Sequence, residues 1–249
     1  RYLGPENYGL LSYTNSFVAI FVALATLGLD DVVVRELVKN PEQREELLGT
    51  SFLLKIVGAV LMWLVIILTV PFTNNDIQTN SFIMIIALGV VFQAFNVIDF
   101  NFQATVKSKY VVYAQFVQLI ISSIVKLILI INEAALIWFV SVYCLDAMIL
   151  ALGLVITFLH KSGNIFSWKW NFRVAKVLLG DSWPLMFAYM SYLIYAKIDR
   201  LMVMEMIDEY NVGIYSAAYT LYEAPLFISL MVAKSLYPLI CLLYTSDAP

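Results

Sequence analysis

The sequence predicts an all-α integral membrane protein, an antiparallel bundle of about seven transmembrane helices. Three observations predict it. The chain is 62% hydrophobic and only 13% charged, where soluble domains carry about 25% charged residues. It therefore lacks the polar surface to cover a soluble fold. Seven runs, 10–29, 48–70, 82–102, 110–131, 134–159, 183–206 and 212–234, are apolar and long enough to cross a membrane as helices, which takes about 20 residues each. Lysine and arginine also alternate between the two sides. The connections after the first, third and fifth runs hold Arg35, Lys39, Arg44, Lys107, Lys109, Lys161, Lys169, Arg173 and Lys176. The connections after the second, fourth and sixth hold none, and Arg1 alone precedes the first. Nine basic residues against one put the odd-numbered connections in the cytoplasm. A missed span would break this alternation.

The first run follows the loop-like stretch Leu3-Gly-Pro-Glu-Asn7 and heads inward. The chain starts at Arg1 without methionine or signal peptide, and reads as a piece with one helix upstream. The charged connection Asn40-Pro-Glu-Gln-Arg-Glu-Glu46 reads as a solvated turn. The third run carries Gln93, Asn96, Phe100 and Gln103 along one row. In the fourth, Gln115, Gln118, Ser122 and Lys126 stand at offsets 0, 3, 7 and 11, which is one helix face. The fifth ends at His160, an interfacial residue rather than a ligand.

The next connection mixes Trp168, Trp170 and Phe172 with Lys169, Arg173 and Lys176. Aromatics with cations favour the headgroup region, so 165–179 is expected to be an interfacial helix on the cytoplasmic face. Asp181 or Ser182 is expected to cap the sixth run, with Pro184 in its first turn. Residues 241–249 read as a non-native tail without a role.

Composition also excludes function classes. Net charge is −3, which gives no case for nucleic acid as a partner. Cys144 and Cys241 have no metal-ligand spacing and no disulfide is expected. No glycine-rich phosphate loop, metal cluster or nucleophile–base pair is visible, so no cofactor, metal or catalytic residue is assigned.

The informative residues are charges inside the apolar runs. Each costs roughly 2.5–3.5 kcal/mol to insert, so it normally faces a bundle interior or a wet cavity. The cations are Lys55, Lys126, Lys197 and Arg200. Lys197 and Arg200 are three apart and share a helix face. Lys55 and Lys126 lie nearer their helix ends, so snorkelling to the interface is the competing reading. The face Gln115, Gln118, Ser122, Lys126 is either a cavity wall or a polar helix contact. The acids are Asp99, Asp146, Asp199 and Glu223. Asp199 and Glu223 are ion-coupling candidates, because burial lets a carboxyl take up a proton; partnership with Lys197 or Arg200 is the alternative. Tyr215, Tyr219 and Tyr222 form an aromatic row, for stacking on sugar or for packing.

An internal echo organises the chain. Asn7-Tyr-Gly-Leu-Leu-Ser12 opens the first run, and Asn211-Val-Gly-Ile-Tyr-Ser216 opens the seventh. Six helices separate the two and both run inward, the pattern of a parallel repeat. On this reading 1–160 is an N-terminal lobe, 161–182 a cytoplasmic linker and 183–240 the start of a second lobe.

Arg1-Tyr-Leu-Gly-Pro-Glu-Asn-Tyr-Gly9, Leu27-Gly-Leu29, Arg35-Glu-Leu37, Asp181-Ser-Trp-Pro184, Lys197-Ile-Asp-Arg200 and Val212-Gly-Ile-Tyr-Ser-Ala-Ala218 together resemble the polysaccharide-biosynthesis flippases of the Wzx type. These are part of the multidrug/oligosaccharidyl-lipid/polysaccharide exporter superfamily. The resemblance covers essentially all of 1–240. It implies two lobes of six or more helices around a central cavity, with this chain supplying helices two to eight. It implies a lipid-linked (undecaprenyl-diphosphate) oligosaccharide as substrate, moved across the cytoplasmic membrane. It also implies polysaccharide polymerase and chain-length machinery as partners, and no enzymatic activity. On this reading Lys197, Arg200, Lys126, Lys55, Gln115 and Gln118 are the substrate-binding candidates. Two alternatives stay open: a cation-coupled multidrug exporter of the same fold, and a membrane-embedded polysaccharide polymerase. The short, uncharged outer connections count against a polymerase, and the deep cations count against a cationic substrate.

Overall fold

The computed structural model describes residues 3–73, 75–161, 163–223 and 225. Its helices are α1 (Gly4–Thr26), α2 (Leu29–Lys39), α3 (Arg44–Thr69), α4 (Ile77–Val90), α5 (Val97–Ala104), α6 (Lys109–Ile131), α7 (Leu136–Lys161) and α8 (Phe172–Met206). Residues 209–223 form a ninth, α9. Among the described residues there is no strand. The chain is an all-α, multi-pass membrane bundle: six stretches, ending at Lys39, Phe72, Ala104, Ile131, Lys161 and Met206, are long and apolar enough to cross a membrane. The seventh expected run is helical as far as it is described. Its remainder and the tail at 241–249 lie outside the described residues.

Three elements differ from the sequence reading. The connection between the first two runs, 30–47, is not loop throughout. Leu27 and Gly28 both adopt left-handed backbone, at φ 53° and 64°, and swing the chain from α1 straight into α2. Glycine tolerates that conformation without strain. α2 then buries Leu29, Val32, Val33 and Leu37, the spacing of an amphipathic helix, against α5 and α8. Its charges had masked that stripe.

The third run is not one helix. Between α4 and α5 lies a six-residue 3₁₀ segment, Val91–Asn96. A 3₁₀ turn eclipses side chains three apart, so Gln93 and Asn96 do not continue the α5 face that holds Phe100 and Gln103.

The interfacial helix is absent as a separate element. After a short 3₁₀ turn at Ile165–Ser167 the chain is extended at Trp168 and Asn171, forming a strap. The strap docks on α3: the Lys169 amide donates to the Glu45 carbonyl at 3.2 Å and the Asn171 amide to Thr50 Oγ1 at 3.0 Å. Asn171, not Asp181 or Ser182, caps α8, accepting from the Arg173 amide. α8 then runs 35 residues with Pro184 inside it, about 52 Å at 1.5 Å per residue. It packs along α1 and reaches α2 and α3 at the end that carries the basic connections, called cytoplasmic below after the expected orientation.

Two buried clusters hold the bundle. The outer one joins Tyr13, Phe17, Met62, Ile66, Phe82 and Phe139. The cytoplasmic one joins Leu29, Leu48, Ile98, Phe102, Phe158 and Leu178. Within lipid such packing stabilises by van der Waals contact rather than by escape from water. α6 sits at the margin against α7, with only Val111, Ala114 and Ser122 buried.

Candidate functional site

The reversal between α8 and α9 is tight. The Asp208 carboxylate accepts from the Asn211 amide at 2.8 Å, and that bond holds its carboxyl below the usual range. The turn folds α9 back beside the outer half of α8, with α1 lying against both.

Arg200 points into this three-helix junction and is 7% exposed. Its Nη1 donates to Ser16 Oγ on α1 at 3.4 Å. Its guanidinium carbon sits 4.6 Å from the centre of the Tyr219 ring on α9, a cation–π contact. Its Nε is buried with no hydrogen-bond acceptor. Among the described residues, no carboxylate forms an ion pair with Arg200 or Lys197.

The adjacent acid takes a different partner on α9. Asp199 Oδ2 accepts from the Tyr215 hydroxyl at 2.8 Å, on the side of α8 about 100° round from Arg200. Lys197 is half-buried near Arg200 and Glu223. Glu223 in turn lies at the Tyr219 hydroxyl. The structure thus gathers Lys197, Arg200, Tyr219 and Glu223 into one neighbourhood, with Ser16 as a member that sequence reasoning missed. A single serine in an apolar run gave no periodic signal. Tyr215, Tyr219 and Tyr222 follow one another along α9 with ring centres 6.1 and 6.2 Å apart.

The other candidates lie in two separate places. Lys55 is 3% exposed and bonded to Asp30 Oδ1 at 2.8 Å, with the Phe100 ring centre 4.4 Å away. Asp99 borders the same pair. Lys55 neither snorkels nor faces the Arg200 neighbourhood; it is the buried half of an internal ion pair. Asp30 was missed because it was assigned to a loop.

Lys126 pairs with Asp146 Oδ2 at 3.5 Å. Together with Gln115, Gln118, Ser122 and Ser123 they line a groove of about 410 Å³ between α6 and α7. Within it Ser122 Oγ and Asp146 Oδ1 have no hydrogen-bond partner. Gln115 and Gln118 therefore belong with Lys126, away from Arg200. A more apolar cavity of about 580 Å³ opens at the outer ends, lined by Pro5, Tyr8, Ile130, Phe139 and Ile214. Among the described residues, no group of His, Cys, Asp and Glu is placed to hold a metal ion.

Chemically, the junction offers a desolvated guanidinium with spare donor capacity, a second cation and a run of aromatic faces. That set suits a polyanionic headgroup carrying sugars. A family model described as "Polysaccharide biosynthesis protein" matches residues 1–243. No curated protein and no solved structure matches the chain.

Proposed function

The chain belongs to the polysaccharide biosynthesis protein family, and from that premise we propose that it is part of a flippase for a lipid-linked oligosaccharide. The substrate is a polyprenyl-diphosphate-linked glycan, carried across the cytoplasmic membrane by alternating access. Arg200 binds the diphosphate, Lys197 assists, and the α9 tyrosines stack on sugar. No covalent chemistry is required of the protein.

One observation supports this reading above the others: among the described residues, Arg200 is a buried cation with no carboxylate partner and an unused donor. Leaving a charge unpaired in a low-dielectric setting is costly, and an anionic ligand removes that cost. A cationic drug would instead need a free acid. The acids nearest the deep cations are engaged, Asp199 by Tyr215, Asp146 by Lys126 and Asp30 by Lys55, and Glu223 lies at the Tyr219 hydroxyl beside Lys197.

In the full-length protein, Arg200→Gln should lower surface glycan export about tenfold to a hundredfold, the range for one charge-assisted hydrogen bond. Membrane level of the protein should be unchanged. Arg200→Lys should retain part of the activity, because a point charge replaces the planar fork. Normal export in Arg200→Gln would remove the binding assignment.

A further inference from the structure

The two copies of the Asn-x-Gly-[Leu/Ile]-x-Ser echo meet each other. Gly9 on α1 and Gly213 on α9 occupy the same place in the pattern, and both are buried. A Cβ added at Gly9 would lie 1.9 Å from the Glu209 carbonyl oxygen and 2.8 Å from the Gly213 nitrogen. One added at Gly213 would lie 2.0 Å from the Pro5 carbonyl oxygen. The helices therefore touch backbone to backbone, and any larger residue at either place forces them apart.

The contact is confined to one end. On α9, Val212, Gly213 and Ser216 are buried, whereas Ala217, Thr220, Leu221, Tyr222 and Glu223 are exposed. Beyond it the long Tyr8 side chain follows α9 deeper, its hydroxyl 3.4 Å from Thr220 Oγ1. The basic connections lie at the opposite end of the bundle, so the crossing is on the outer side. Among the described residues, α9 thus meets α1 backbone to backbone at the outer end and through side chains deeper, by Tyr8 at Thr220 and by Arg200 between Ser16 and Tyr219. A contact between equivalent residues of two like-oriented copies lies on the axis relating them. Parting the copies at their outer ends must open it.

We propose that the Gly9–Gly213 crossing is the outer gate of the translocation pathway, a closure made by backbone contact that must separate for release outside. The proposal rests on the transport reading above but not on the identity of the substrate. Glycine at both places lets the gate shut flush.

The test uses the full-length protein with Cys144→Ala and Cys241→Ala, and a membrane-impermeant maleimide added outside. Ser216→Cys reports from one turn beneath the crossing, and Tyr210→Cys from the exposed outer turn. With both glycines present, Ser216→Cys should label at least about tenfold more slowly than Tyr210→Cys, as for an open state populated at 10% or less. Gly213→Leu, a wedge, should bring the Ser216→Cys rate up to that of Tyr210→Cys and abolish glycan export. Should Gly213→Leu fail to fold, Gly213→Ala applies the same wedge more gently and should raise labelling part of the way. Equal labelling of the two cysteines without a wedge, or no response to a wedge in folded protein, overturns the gate. If labelling responds while Arg200→Gln still exports normally, the gate stands and the substrate assignment falls.

Discussion

Two buried cations in one bundle have opposite surroundings, and the difference decides what each does. Lys55 is 3% exposed and its partner Asp30 is 52% exposed by side chain; Arg200 is 7% exposed and has a serine and an aromatic ring. Removing one member of a buried pair costs about 3–5 kcal/mol because a charge is stranded. The asymmetry of burial sets which removal hurts more. Asp30→Asn strands a buried ammonium and should lose about 3 kcal/mol, with Asp99 nearby holding the loss at that lower end. Lys55→Met leaves a half-exposed carboxylate and should lose less. The double variant Lys55→Met with Asp30→Asn should recover much of the difference. Thermal unfolding in detergent measures all three, and equal losses for the two single variants would contradict the argument. At this scale the sequence was informative about cost and silent about partners. The position of Lys55, Lys126, Lys197 and Arg200 inside apolar runs marked them as special. Asp30 and Ser16 complete their surroundings from other helices, and no local pattern links residues 25 or 184 positions apart.

Elements were legible where apolar length dominates and obscured where backbone conformation does. The six described spans follow from runs of apolar residues, and their alternation follows from the basic connections. The Leu27-Gly28 turn, the 3₁₀ break at Val91–Asn96 and the early start of α8 are set by backbone angles and tertiary contact. None of these alters hydropathy. Helix caps carry a titratable consequence at this scale. Asp76 caps α4 on the outer side, accepting from the Thr79 amide at 2.9 Å; the Thr79 side chain first and that amide second hold its carboxyl below the usual carboxylate value. A carboxyl lowered in the folded state stabilises above its unfolded value, about 3.9. That contribution is lost as pH falls through the folded value. Asp76→Ala should therefore cost about 1 kcal/mol near neutral pH, and the gap from the wild type should close under strong acid. Paired melts at neutral and acidic pH measure this; a gap independent of pH would mean the cap contributes through shape alone.

At the scale of the whole molecule, α8 is the element that ties the parts together, and its two ends are tied differently. At the outer end it turns into α9, which rests on the glycine crossing. At the cytoplasmic end it is held to the first bundle by the strap, by Arg35 against Asp181 and by the buried Leu178. The strap packs one aromatic ring against the bundle. Trp168 packs between Phe52 and Phe158, ring centres 5.4 and 5.7 Å away. Trp170, two residues on, is 49% exposed. The two readings of this connection separate here. An interfacial helix would use both tryptophans for the headgroup region, so alanine at either would weaken membrane anchoring alike. A strap folded onto α3 uses one of them as core. Trp168→Ala should then cost about 3 kcal/mol or more, as for a large aromatic removed from a packed site, whereas Trp170→Ala should fall within about 0.5 kcal/mol of the wild type. Because Asn171 both bonds Thr50 and caps α8, loosening Trp168 should also expose the first turn of α8. Hydrogen exchange at Arg173 and Val174 should accelerate in Trp168→Ala and not in Trp170→Ala. Similar losses in the two variants would return this segment to the membrane surface.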